Sequence, residues 1–160
     1  MPVKTIHSRP DLTLGEIGPL LVMVPKSSPD NEAFVFIQDQ VEAFAARFDK
    51  FAYMLILTSF DGPPKADADT QKKQAERMGK LREKLSFTAV VITVPGLKGT
   101  MMRMIVTALT FLPGYNFGLT KIFSKVSEAT EWMKTQPGLS AELTTDPFLT
   151  QSLEDFVQKK

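Results

Sequence analysis

Two short segments hold the residue types that could do chemistry. In Thr58-Ser59-Phe60-Asp61-Gly62-Pro63-Pro64 a hydroxyl and a carboxylate follow an apolar run directly. At the carboxyl end of a strand, where open α/β sheets place ligands and helix N-termini favour anions, Ser59 and Asp61 would form a phosphorylation or anion loop. In Gly96-Leu97-Lys98-Gly99-Thr100 a strand passes into a helix. The amides of Gly96, Gly99 and Thr100, with the charge of Lys98, would make an anion-binding turn. The spacing is not that of a Walker loop, which needs Gly-x-x-x-x-Gly-Lys followed by Ser or Thr. Both segments also have plain structural readings, Asp61-Gly62 as a tight turn with Ser59 capping an amide, and the glycine pair as a corner.

Most other chemistries are excluded by what the chain lacks. It has no cysteine, so thiolate catalysis, disulfides, zinc ribbons and iron–sulfur clusters drop out. His7 is the only histidine, which removes two-histidine metal sites and leaves a serine triad without a well-placed base. Neither a metal nor a cofactor is expected. Lys and Arg total 19 against 18 Asp and Glu, a net charge of +1 that supplies no general field for nucleic acid. An enzyme would have to run on carboxylates, lysines, Tyr or backbone dipoles, and too few of these converge. No catalysis is expected; an enzyme acting on a phosphorylated or carboxylated metabolite through Lys98 and Asp61 is the least favoured option.

Those segments must be positioned by regular elements, and hydrophobic periodicity locates them. Ile17 to Val24, closed by Pro25, suits a buried strand. Over 30–48, Phe34, Ile37, Val41, Phe44, Ala45 and Phe48 recur at helical spacing, with Ser28 and Pro29 as the start; a strand over 33–37, in a hairpin across KSSPDN, is the alternative. Ala52 to Phe60 and Phe87 to Val94 read as strands, the second with Val90, Val91, Ile92 and Val94 buried. Lys65 to Leu85 reads as a helix with one thin apolar stripe; its run 72–84 holds six basic and two acidic residues, partly neutralised by i,i+4 pairs. A helix over Leu97–Leu112, a strand over Gly118–Phe123 and a helix over Val126–Met133 follow, Trp132 falling on the apolar period of the last. Beyond Gln136-Pro137-Gly138, Asp146-Pro147 can start a final helix with Leu149, Leu153, Phe156 and Val157 inward. The alternation predicts an α/β fold: an open, largely parallel sheet of four to five strands with helices against it. Residues 1–136 are expected to form one domain and 137–160 a C-terminal appendage whose extra helix packs on it.

The helix over Leu97–Leu112 is the least ordinary of these. Met101, Met102, Ile105 and Leu109, with Met104, Val106, Phe111 and Leu112, spread apolar surface past half its circumference. A helix on one side of a sheet needs a single apolar face. The second must meet the chain's own C-terminal helix, another copy of the chain, another protein or a lipid, and flexible Met side chains suit such adaptable contacts.

The order of elements resembles the STAS fold of sulfate-transporter tails and bacterial anti-sigma-factor antagonists. The likeness is closest over 87–133, where FTAVVITVP, LKGTMMRMIVTALTFLP, GLTKIFS and VSEATEWM follow one another. Bacterial STAS-like, sporulation-antagonist-like proteins commonly end in a strand with "VF" and a helix reading "EAxxWL". Here Ile122-Phe123 and Glu128-Ala129-Thr130-Glu131-Trp132-Met133 stand in those places. From Tyr53 to Met133 the resemblance covers about half the chain, and its motifs are structural. It implies a non-catalytic domain that works by binding in regulation. The antagonists carry a phosphorylated serine in an Asp-Ser-Ser-Gly-like loop; the loop here is longer and holds prolines, with Ser59 alone close in position.

The expectation is a cytoplasmic STAS-like regulatory domain, since no signal peptide and no run of ~18 apolar residues is visible. Its partner would be another protein or its own copy, met through the loops after the strands and the face of Met101, Met102, Ile105 and Leu109. The alternative is a carrier of a small amphiphile lodged between that helix and the sheet.

Overall fold

A computed structural model describes residues 1–59, 62, 64–110 and 119–159, with the backbone alone at 105–110. The fold is α/β, built on one open sheet whose six strands lie in chain order. Strands β1 (Lys4–Ser8), β2 (Leu12–Ile17) and β3 (Leu20–Pro25) are antiparallel neighbours. Strands β4 (Phe51–Leu57), β5 (Leu85–Ile92) and β6 (Thr120–Phe123) then add in parallel. The sheet is therefore largely parallel, but larger than the four to five strands expected.

The extra strands come from the N-terminus. The run Ile17–Val24 is not one strand: Gly18 takes φ +54 and turns the chain, so that Ile17 closes β2 and Leu20 opens β3. β2 reads LTLGEI, and its Gly15 breaks the apolar pattern because the Phe156 ring needs the room: a Cβ there would lie 2.6 Å from that ring. The strand alternative for 33–37 is overturned. Those residues belong to helix α1 (Asn31–Ala45), whose N-cap is Asp30, accepting from the Ala33 amide at 2.9 Å, rather than Ser28.

Helices α1, α2 (Ala68–Gly79) and α3 (Gly96–Thr110) connect the parallel strands. Because the strands follow in order and parallel crossovers keep one hand, all three helices fall on one face. There Leu21, Phe51 and Leu85 meet Val41, Phe44 and Met78, while Val90, Ile92 and Val94 meet Met102. The other face, with period-two residues Val22, Met54, Ile56, Phe87, Ala89 and Val91, is covered by α4 (Val126–Lys134), α5 (Ala141–Thr144) and α6 (Leu149–Gln158). Leu143, Leu149, Leu153 and Phe156 are all buried in that cluster. The C-terminal segment thus covers the face opposite α3, which removes the chain's own tail as cover for the second apolar row of that helix.

One helix is shorter than the periodicity suggested. α2 stops at Gly79 instead of running to Leu85, which belongs to β5. Of the charge pairs expected along it, Asp69 and Lys73 meet at 3.0 Å, while Arg77 reaches across to α1, to Glu42 at 2.6 Å and Asp39 at 2.7 Å. Trp132 is half-buried, edge-on to Phe87 with ring centres 5.2 Å apart, as an apolar helix position should be.

Candidate functional site

The parallel strands β3 to β6 all end at one edge of the sheet, and both chemistry-bearing segments start there. Thr58 and Ser59 leave β4 exposed at this edge; Asp61 lies outside the described residues. The loop after β4 is tied to the loop after β3. Ser28 Oγ donates to the Gly62 carbonyl at 2.8 Å, and the Asn31 side chain both donates to the Asp67 carboxylate and accepts from the Asp67 amide, each at 2.9 Å.

Beside Ser59 is a hollow of about 340 Å³, lined by Thr13, Val24, Pro25, Lys26, Thr58, Phe156, Val157 and Lys159. This is at the small end of ligand cavities, roughly 300 to 1,000 Å³. Thr13 and the two lysines were not legible as neighbours of Ser59, because β2 and α6 bring them there from the two ends of the chain. Thr13 Oγ1 is buried with no hydrogen-bond partner among the described residues. The electrostatics do not favour an anion at the adjoining helix starts. Asp30 caps α1, and Asp67 caps α2 by accepting from the Thr70 amide at 2.7 Å; that amide, with Asn31, holds the Asp67 carboxyl below its usual range. Each N-terminus already has its negative charge.

The second segment is not a loop. Gly96 to Thr100 form the first turn of α3, with Gly96 at φ +72 and the Thr100 hydroxyl donating to the Gly96 carbonyl at 3.3 Å. Gly99 is buried, and a Cβ there would overlap the Val94 carbonyl oxygen. The glycine is therefore explained by close packing of α3 on the end of β5. Lys98 is exposed. Arg103 donates to the Ile92 carbonyl at 3.0 Å, pinning the helix to the strand.

α3 is the element whose surface is left over. Gly99 and Met102 face the sheet, Met102 being 7% exposed. At ~100° per residue, Leu97, Met101 and Met104 form a row on the opposite side. They are 75%, 52% and 67% exposed, among the most exposed large apolar residues described. Of the expected interaction face, Met101 is thus outward and Met102 inward; the side chains of Ile105 and Leu109 lie outside the described residues.

The other shifted titratable groups among the described residues sit in structural contacts. Burial pushes the Tyr53 phenol upward, and its hydroxyl meets the Met23 sulfur at 3.4 Å. Arg77 bridges α1 and α2, and its hydrogen bonds hold the Glu42 carboxyl below the ordinary value, a structural clasp. No cluster of three or more His, Cys, Asp or Glu suited to a metal occurs among the described residues. No protein-family model, curated protein or solved structure matches the chain.

Proposed function

We propose that the chain is a non-catalytic, STAS-like domain that acts in regulation by binding, on the cytoplasmic side, and that the outward row of α3 is its binding surface. The observation that carries this is Leu97, Met101 and Met104 standing exposed behind a helix already packed on the sheet through Gly99 and Met102. Isolated exposed apolar residues need no explanation, but three aligned at i, i+4 and i+7 form a stripe that a free surface does not need. The support for a STAS-like assignment is the strand and helix succession from Tyr53 to Met133, together with the six-stranded α/β sheet.

The rival carrier of an amphiphile needs space between α3 and the sheet. Where that contact is described, Met102 fills it against Val90, Ile92 and Val94, and the hollow beside Ser59 lies elsewhere. A photo-reactive phenylalanine analogue placed at Met101 in living cells tests the binding surface. Adducts should form at position 101 and not at Val35, an exposed apolar residue of α1. Equal labelling at both positions, or none at 101, would contradict the proposal.

A further inference from the structure

The hollow beside Ser59 has a buried floor and a polar rim of different chemistry. Leu12 and Leu14 of β2 pack with Phe36 and Ile37 of α1, so Thr13 and Gly15 point to the opposite face, where the Phe156 ring of α6 covers Gly15. Thr13 pairs with Val24 of β3. Thr13, Val24 and Phe156 form the floor, being 5%, 6% and 2% exposed. Thr13 Oγ1 is buried there with no hydrogen-bond partner among the described residues, which a satisfied interior does not leave. The rim is open, with Lys26 just after β3, Thr58 and Ser59 just after β4, and Lys159 at the end of α6. None of the described lining residues is acidic. Lys26 gives one N–H to the Arg9 carbonyl at 3.3 Å, and neither lysine has an ion-pair partner among the described residues. Two full ammonium charges outweigh the roughly half negative charge at the carboxyl end of α6.

We propose that this hollow binds a small organic acid whose apolar body carries a second polar group at its far end. The carboxylate meets Lys26, Lys159 and the hydroxyls of Thr58 and Ser59 at the rim, the body lies over Val24 and Phe156, and the distal group pairs with the Thr13 hydroxyl. A volume of about 340 Å³ is the room of roughly eleven waters at ~30 Å³ each, so a molecule of about ten non-hydrogen atoms fills it. Inorganic phosphate would satisfy the rim and leave Thr13 unpaired; a plain fatty acid would do the same. The carboxylates of Asp30 and Asp67 do not oppose the ligand, because they cap α1 and α2 on the other face of the sheet. The outward row of α3 also belongs to that other side, so this site and the α3 surface stand or fall separately.

The test is amide-resolved NMR titration of the full chain with para-hydroxyphenylacetate and with omega-hydroxyoctanoate, two carboxylates of different body that each end in a hydroxyl. Saturable shifts should gather at Thr13, Thr58, Ser59 and Val157 and spare Met101. Phenylacetate, which lacks the distal hydroxyl, should bind about fivefold more weakly than its hydroxylated counterpart, and Thr13→Val should erase that difference. Lys26→Gln combined with Lys159→Gln should weaken both acids by about fivefold and remove most of the salt dependence. Thermal melts establish that the variants fold; if Thr13→Val does not, the phenylacetate comparison carries the floor of the site and the lysine pair its rim. Absence of saturable shifts with both acids at millimolar concentration would overturn the proposal. So would shifts that ignore the distal hydroxyl or the lysine pair. Adducts at position 101 in the cross-linking experiment bear on α3 alone and leave this outcome unchanged.

Discussion

Helices α6 and α3 carry apolar residues at the same helical spacing, yet Leu149, Leu153 and Phe156 of α6 are almost completely buried while Leu97, Met101 and Met104 of α3 are at least half exposed. The α6 row covers a sheet face that presents Val22, Met54, Phe87 and Val91, and among the described residues α4 to α6 form its lid. Among its described side chains, α3 reaches its own face of the sheet through Gly99 and Met102, and its second row stays outside. An apolar stripe in a sequence therefore counts surfaces to be covered without saying what covers them; a helix with two stripes requires two partners, and among the described residues the chain supplies one.

The contrast can be broken most forcefully on the α6 side. Val91 is fully buried beneath that layer, so Val91→Asp places an unpaired carboxylate in the core, at a cost of several kcal/mol against a typical total of about 5 to 15. It should fail to melt cooperatively; a soluble variant with a sharp thermal transition would show that this face is not the core. Next in size, Phe156→Ala should cost about 3 to 5 kcal/mol in urea unfolding, because Phe156 is 2% exposed and fills the space above Gly15. A loss under about 1 kcal/mol would mean that α6 is loosely attached.

The α1 and α2 clasp lies between the extremes. Arg77 binds Glu42 and Asp39 from a partly exposed position, so Arg77→Met should cost at most about 1 kcal/mol. The Glu42 carboxyl is held below its usual value, so its contribution is complete above the unfolded value near 4.5 and is lost as pH falls through the lower, folded one. In a pH series, Arg77→Met should therefore lose less stability than the wild type on the acid side of pH 4.5. Asp67 and Asp146, each held low first by a backbone amide, keep part of that acid slope in both proteins. Parallel curves for the two proteins would remove the clasp from the account. Smallest of all, Leu97→Ser and Met104→Ser should each change stability by less than about 0.5 kcal/mol, since exposed side chains lose little on truncation. A loss as large as that of Phe156→Ala would place the α3 row inside the fold.

Much of this architecture was legible because strands buried on both faces read as continuous apolar runs, as Phe51–Leu57 and Leu85–Ile92 do. The inward side of α6 was legible for a related reason, its apolar period being sustained from Leu149 to Phe156. β1 and β2 escaped because edge strands carry polar residues and because Gly15 interrupts the one apolar run, for a reason that sits more than a hundred residues away in Phe156. At the candidate site, the surplus apolar surface of α3 was visible in composition, whereas the side on which it lies depends on Gly99 meeting the Val94 carbonyl, a contact no periodicity encodes. Thr13, Lys26 and Lys159 gather beside Ser59 only through strand order and the return of α6, so local motifs could not announce them.

The central claim is that α3 shows one methionine to the sheet and two to the outside, and peroxide oxidation of the purified protein followed by residue-resolved mass spectrometry tests it directly. Met101 and Met104 should oxidise at rates close to those of free methionine, while Met102 lags well behind until the protein is unfolded in urea. Met101 and Met104 as protected as Met102 in the folded protein would mean that the row is covered by the chain itself or by a second copy, and would contradict the account.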